Sequence, residues 1–340
     1  MNLISILISL CLSAVITNGT LQWYLFTKQE WKKTELRRKH GEIQKVIFQF
    51  IYQDLQAGGY RGLRSRDGSY PTYRQYCDYS ADYRYFHFDR TVFGFIATPG
   101  NCFGKMPYTA CERLEENTPV LIVYNVPYGL SRLTKSMSKR EDPLVAENLR
   151  GIQENALVLI SDHEQSDAFI ATHIEGNVLS HQKILGKNKT AELSKRYPAY
   201  TEIMELQTVA YYLAVPERFK NHIKPNLNAE ESYSLFRDDF LHPAQELVSG
   251  IKTLGFTYGL ATSDSKTDSK TKLQYFNANE IKQWEAVKSV GVEIVIEPDP
   301  FGSASSFRIG SPFRTSSSFR TSSPSGSERK WETKIMLRNG

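Results

Sequence analysis

No basic residue stands ahead of the chain's first apolar run, no Cys-x-x-Cys pair occurs, and no common catalytic fingerprint is present. Gly-x-Ser-x-Gly, His-Glu-x-x-His, the Walker loop and the dinucleotide fingerprint are all missing. The usual signals of hydrolases, metalloproteases and nucleotide enzymes go with them. Cysteine is scarce, with four residues in 340. The three in the globular part have no histidine beside them, so zinc lacks a ligand set. The net charge of +5 is too mild to demand a nucleic-acid partner, and a solvated face accounts for it. The expectation is a non-enzymatic chain with no catalytic, cofactor-binding or metal residues.

Two clusters come nearest to chemistry. Asp162-His163-Glu164, with Asp167 and His173, is the densest group of potential ligands, but it follows a strand-like run and reads as a polar turn. Asp264-Ser265-Lys266-Thr267-Asp268 offers two carboxylates among lysines, too few for a six- to eight-oxygen calcium cage.

What the chain does have is a continuous N-terminal helical pattern. Leu3 to Ile16 is almost purely apolar, a polar dip follows at Thr17-Asn18-Gly19-Thr20, and Leu21 to Phe26 is apolar again. Leu3 to Phe26 would extend about 36 Å at roughly 1.5 Å per residue, enough to cross a hydrocarbon core of about 30 Å. A cleaved secretory signal is the competing reading. The missing basic n-region and the poor cleavage site at Ile16-Thr17-Asn18-Gly19 argue for a retained helix. Beyond it, Ile43, Val46, Ile47, Phe50, Ile51 and Leu55 recur at offsets of three and four and form one apolar stripe. Lys45, Gln49, Gln53 and Asp54 are read as lying off it. Gly58-Gly59 supplies the φ > 0 freedom that ends helices.

Four segments resemble the PilW family of type IV pilus minor pilins and, more distantly, the J-type minor pseudopilins of type II secretion. Asn2-Leu3-Ile4-Ser5-Ile6-Leu7-Ile8 is similar to the start of a mature pilin. Phe50 to Gly62, containing Asp54, Leu55, Gly58, Gly59, Tyr60, Arg61 and Gly62, resembles the family's DLRxAGYRG helix end. Tyr211-Tyr212-Leu213-Ala214 with Ser234-Leu235-Phe236-Arg237 resembles its YYIA…LYR hairpin. Gln245 to Ile251, Phe256 to Gly259 and Trp284 to Ile294 resemble its later strands.

The resemblance implies an α+β, pilin-like fold: a long N-terminal helix, its apolar half in membrane, packed on an antiparallel sheet domain. It implies a minor pilin that helps initiate or caps a type IV pilus, held in the bacterial inner membrane with its C-terminal domain in the periplasm and then incorporated near the pilus tip. Other minor pilins, the major pilin and the inner membrane are the implied partners. Leu3, Ile4, Ile6, Leu7, Ile8, Leu10 and Leu12 are the implied membrane and helix-packing residues. A membrane-anchored exported binding protein, able to contact DNA, is the alternative class.

Three departures qualify the match. No leader ending in Gly precedes the run, Ser5 stands where pilins usually carry Glu, and all nearby basic charge (Lys28, Lys32, Lys33, Arg37, Arg38, Lys39) follows the run. The positive-inside rule alone would put the domain in the cytoplasm. The several separate motifs favour the outside.

The expected organisation is a membrane and assembly half over 1–27, an amphipathic half over 28–59, a β-rich domain over 60–300, a Ser/Phe/Arg insertion over 301–327 and a terminal strand over 328–340. Residues 63–118 read as long loops. Strands are expected at Val120–Asn125, Ala156–Ser161, Phe169–Ile174, Val209–Val215, Leu254–Tyr258, Val290–Ile296 and Trp331–Leu337. An export-facing domain permits one disulfide among Cys77, Cys102 and Cys111. Cys102–Cys111 is nearest in sequence, worth about 2.7 kcal/mol in the chain-entropy model, with Cys77 as the alternative partner. The hexads beginning at Phe307, Phe313 and Phe319 repeat Phe-Arg and are rich in Ser, too poor in apolar surface to fold alone. An extended chain would place Phe and Arg on opposite sides, a pattern that can hold single-stranded nucleic acid. A slipped duplication in a flexible loop explains the repeat more simply.

Overall fold

The computed structural model describes residues 3–59, 70–77, 86–98, 102, 111, 114, 117–126, 131–149, 151–215, 233–262, 272–296 and 329–337. Helix α1 (Leu3–Ala57) is followed by β1 (Thr72–Gln75), β2 (Val92–Ala97), β3 (Thr118–Asn125), β4 (Ser131–Arg132) and β5 (Leu144–Val145). Then come β6 (Leu157–Ser161), β7 (Gln165–Ile170), β8 (His173–Glu175), β9 (Val178–Ser180) and β10 (Glu202–Ala214). The chain continues through β11 (Tyr233–Asp238), β12 (Gln245–Thr262), β13 (Lys272–Phe276), β14 (Val287–Ile296) and β15 (Arg329–Met336).

Helix α1 runs unbroken through the polar dip, where two threonine hydroxyls turn inward on the backbone. Thr17 Oγ1 donates to the Ser13 carbonyl at 2.7 Å and Thr20 Oγ1 to the Thr17 carbonyl at 2.9 Å. Such back-bonding satisfies the hydroxyl without help from a neighbour. Leu10 and Leu12 are 64% and 57% exposed, and Trp23, Phe26 and Trp31 are exposed as well. The side chains of Leu3, Ile4, Ile6, Leu7 and Ile8 lie outside the described residues. Among the described residues, no helix is long and apolar enough to cross a membrane. The membrane reading of 1–27 therefore rests on the sequence Leu3–Ile16.

The last three turns of α1 lie on a twelve-stranded, mixed and mostly antiparallel sheet with the path β1-β7-β6-β10-β11-β12-β14-β15. Among the described strands, only β1 and β7 run parallel. Strands β2 and β3 extend from the second half of β10, with Val209 opposite Val123, while β6 pairs its first half, with Met204 opposite Leu159. One thirteen-residue strand thus holds two groups of strands together. A small second sheet, β5-β9-β8, lies apart from this path.

Side chains alternate across β10 with the period of two that a pleat imposes. Val209, Tyr211 and Leu213 enter the core under α1, with Ile47, Phe48, Ile51, Leu55, Val92, Leu121 and Val123. Met204, Leu206, Ala210 and Tyr212 enter a second core on the other face, with Phe86, Phe95, Val120 and Ile122. Because both faces are covered, the strand loses the polar alternation of a half-solvated sheet. A third core gathers Leu133, Leu144, Val158, Ile160, Phe169 and Ile203.

Several strand expectations need correction. Residues 63–118 are not loop throughout: Val92–Ala97 pairs β3 along its whole length, and Thr72–Gln75 pairs β7. The expected Phe169–Ile174 strand divides into β7 and β8, since Thr172 directs its amide to the Ser180 carbonyl. The expected Leu254–Tyr258 strand is the middle of the eighteen-residue β12, and Val209–Val215 the end of β10. At Gly94, a methyl group would fall 1.9 Å from the Tyr258 hydroxyl, so only glycine admits that ring, which also packs edge-on to Trp284 at 4.7 Å. Cys102 and Cys111 form a disulfide, and Cys77 is free and buried. Burial pushes the Cys77 thiol up to about 12, which keeps it protonated and unreactive.

Strands β14 and β15 pair in register from Ile296↔Arg329 to Ser289↔Met336. The Ser/Phe/Arg segment 301–327 falls between those paired ends and outside the described residues. Loop closure entropy changes by only about 0.6 kcal/mol for each doubling of length. Replacing residues 301–327 with Asn-Gly is therefore expected to leave the melting temperature unchanged or slightly higher. A loss of several degrees would show that the phenylalanines pack on the domain.

Candidate functional site

The feature that joins the helix to the sheet is a carboxylate. Asp54 is seven residues after Ile47 and three after Ile51, so the helical period places it on the buried face beside Leu55. Its placement off the apolar stripe is thus corrected: it is 8% exposed. A buried carboxylate is tolerated only when paired and hydrogen-bonded. Four donors from three strands meet that need.

Arg237 on β11 donates through Nε to Asp54 Oδ2 at 2.8 Å and through Nη2 to Oδ1 at 3.1 Å. This is the bidentate fork that guanidinium and carboxylate geometry favours. The Tyr211 hydroxyl on β10 donates to Oδ2 at 2.5 Å, and Asn125 Nδ2 on β3 donates to Oδ1 at 2.9 Å. Burial opposes the charge on Arg237, but the hydrogen bonds and attraction from Asp54 outweigh it and raise its pKa above the ordinary value. Burial, reinforced by the Asp54 charge, likewise raises the Tyr211 hydroxyl. Arg237 stays charged and Tyr211 stays protonated through the neutral range.

The helix end is fixed by the same strand that supplies Asn125. Val126 N–H donates to the Ala57 carbonyl at 3.1 Å, and Gly59 N–H donates to the Tyr124 carbonyl at 3.3 Å. Gly59 has φ 76°, the left-handed turn that commonly ends a helix. A methyl group on Gly58 would meet Thr91 Cγ2 at 2.7 Å and the Tyr124 carbonyl at 3.3 Å, so its role is close approach. Gln56 Nε2 adds a bond to the Met336 carbonyl of β15 at 2.8 Å.

Two motifs singled out from the sequence therefore meet in space. Asp54 and Leu55 come from the helix-end motif, and Tyr211 and Arg237 from the hairpin motif. Tyr60, Arg61 and Gly62 lie outside the described residues. Asn125 was not foreseen: nothing marks one Asn at a strand end as a buried partner.

The polar cluster at 162–173 does not assemble into a site. Asp162 Oδ1 accepts the backbone amides of Glu164 and Gln165, both at 2.9 Å, and its Oδ2 pairs with Lys195 at 2.6 Å. Asp167 is not in the turn but on β7, bonded to the Ser194 amide and hydroxyl at 2.7 and 2.6 Å. His173 pairs with Glu154 at 2.7 Å on the surface. Among the described residues, no three His, Cys, Asp or Glu side chains are grouped to hold a metal ion. Residues 264–268 lie outside the described residues.

Removing one member of a buried pair strands the other charge, at a cost of about 3–5 kcal/mol. Asp54→Ala and Arg237→Ala should each lower stability by about that amount in urea unfolding of the whole chain. The double variant should fall short of the sum by about 0.5–3 kcal/mol, the coupling expected of contacting residues. Simple additivity would contradict the pairing.

The family model PilW, type IV pilus-assembly protein W, matches residues 210–339. No curated protein and no solved structure matches the chain. Tyr211 and Arg237 fall inside the matched segment, while Asp54 reaches it from the N-terminal helix. Residues 210–339 of this chain are a PilW domain, that of type IV pilus-assembly protein W.

Proposed function

We propose that this chain is a minor pilin, a non-enzymatic structural subunit that helps initiate assembly of a type IV pilus or caps it. The observation that carries the reading is the ion pair between the helix and the matched domain. Arg237 and Tyr211, inside the PilW segment, grip Asp54 at the end of a 55-residue helix. A subunit that enters a helical filament through its N-terminal helix needs that helix rigidly joined to its head. A binding protein on a simple tether needs no such joint.

In this reading Leu3, Ile4, Ile6, Leu7, Ile8, Leu10 and Leu12 lie in the inner membrane before assembly and pack against the helices of other minor pilins and the major pilin afterwards. The exposure of Leu10 and Leu12 in the lone chain supports a surface to be covered. Placement of the sheet domain in the periplasm is supported by the Cys102–Cys111 disulfide, a bond favoured in oxidising compartments. Ser5, in place of the usual Glu, favours a position at the filament tip, where no further subunit has to be recruited above it.

Deletion of the gene should reduce the number or length of surface pili in electron micrographs, and the intact gene supplied in trans should restore them. Unchanged pilus number and length would overturn the proposal in favour of a stand-alone exported protein.

A further inference from the structure

Away from the Asp54 joint, residues 133–140 and 193–201 run side by side as an antiparallel ribbon. At one end Leu133 N–H donates to the Thr201 carbonyl at 2.9 Å and Tyr200 N–H to the Leu133 carbonyl at 2.7 Å. Met137 N–H donates to the Tyr197 carbonyl at 3.0 Å, and Leu193 N–H to the Arg140 carbonyl at 3.2 Å, towards the other end. Ser136 Oγ accepts the Ala199 amide at 2.9 Å. The ribbon buries Leu133, Met137, Leu193 and Tyr197 in the third core. It leaves Lys135, Lys139, Arg140 and Arg196 exposed. Neither segment contains an acidic residue. Among the described residues, Lys195 is the one cation of the ribbon that is ion-paired, to Asp162 at 2.6 Å and Glu164 at 2.9 Å. Acids begin beyond the Arg140 end, with Glu141, Asp142 and Glu192. Asp142 Oδ2 is engaged there by the Ser138 and Lys139 amides at 3.0 and 2.6 Å.

Tyr200 stands at the opposite end, in a conformation that its side chain disfavours. Its φ is 68°, the left-handed region in which Cβ crowds the following carbonyl oxygen. Elsewhere among the described residues the chain fills most such positions with glycine or with Asn117 and Asn155, which tolerate them. Phe240 is the other bulky case, and its ring packs against the second core. The Tyr200 ring is not packed away: it is 73% exposed. Asparagine would make the same turn with less strain, so the fold alone does not account for the ring. Strain of this kind, held in place by the surrounding bonds, points to a function for the side chain.

We infer that this ribbon binds single-stranded nucleic acid, with Tyr200 stacking on a base and Lys135, Lys139, Arg140 and Arg196 neutralising phosphates. Every base offers a π-face to an aromatic ring, and a row of cations suits the backbone that carries it. A duplex fits less well, because its bases are stacked on one another and leave Tyr200 no face. An acidic protein also fits less well. Interface cores are apolar and poor in lysine, whereas the ribbon's apolar side chains lie beneath it. The proposal does not depend on the pilus reading.

The test is fluorescence anisotropy of the full chain in neutral detergent. The probes are a labelled thymidine dodecamer, its uridine counterpart and a twelve-base-pair duplex, with linear polyphosphate as a competitor that carries charge without bases. Each neutralised phosphate adds about −0.7 to the salt slope of a single strand, so four cations give a fall of about fiftyfold between 50 and 200 mM salt. Lys135→Gln combined with Arg196→Gln should halve that slope. Tyr200→Asn should keep or raise the melting temperature, since asparagine tolerates the left-handed region. It should nevertheless weaken both dodecamers at least fivefold, about the smallest loss expected of one stacked base, and leave polyphosphate unchanged. Tyr200→Phe should bind as the wild type does. Equal affinity for the two dodecamers supports a site that reads stacking and charge alone, and a tenfold preference for one assigns the site to that polymer. No binding by the wild-type chain at the lower salt, a duplex bound as tightly as the single strands, or affinity indifferent to Tyr200→Asn would overturn the proposal.

Discussion

A single buried carboxylate sets the relation between helix and sheet. Asp54 would be intolerable on the apolar face of α1 without partners, and its partners come from β3, β10 and β11. These three strands are neighbours in the sheet, so satisfying the charge fixes both the angle and the axial position of the helix. Hydrophobic contact between Ile47, Ile51, Leu55 and the sheet supplies the greater part of the attraction. That contact is non-directional and would tolerate sliding by a fraction of a turn. The Arg237 fork does not.

This division of labour also explains the shape of β10. A strand that buries Val209 and Tyr211 under the helix and Met204 and Leu206 beneath the opposite core must be long. Its polar members, Glu205 and Gln207, fall where the two groups of strands diverge, and there a cavity opens. The Asp54 joint and the cavity share Arg237. The side chain that orients the helix therefore also forms one wall of the cavity.

Much of this was legible in the sequence, for identifiable reasons. The stripe Ile47, Ile51, Leu55 follows from helical period alone, and Gly58-Gly59 ended the helix as its chemistry requires. The Cys102–Cys111 pairing followed from proximity in the chain. Asp54 was misplaced because its charge was given more weight than its position. A polar residue on an apolar stripe looks solvated until its partner, 183 residues later, is known. Resemblance to the helix-end and hairpin motifs pointed to the residues involved but not to their contact. Strand β2 was missed because Gly94 interrupts its apolar run, and that glycine is needed for the Tyr258 ring. Strand β12 was shortened because Ser249, Gly250 and Lys252 break the β pattern, and pairing on both sides with β11 and β14 overrides that local weakness.

Native-state hydrogen exchange tests most directly whether the Asp54 joint makes helix and sheet one cooperative unit. Amides of Ile47–Ala57 are to be compared with those of Leu206–Leu213 on β10. If the joint governs the fold, both sets exchange only through the same global opening, with equal free energies and equal dependence on denaturant. Helix amides that open about 2 kcal/mol or more below those of β10, with the sheet still protected, would contradict it.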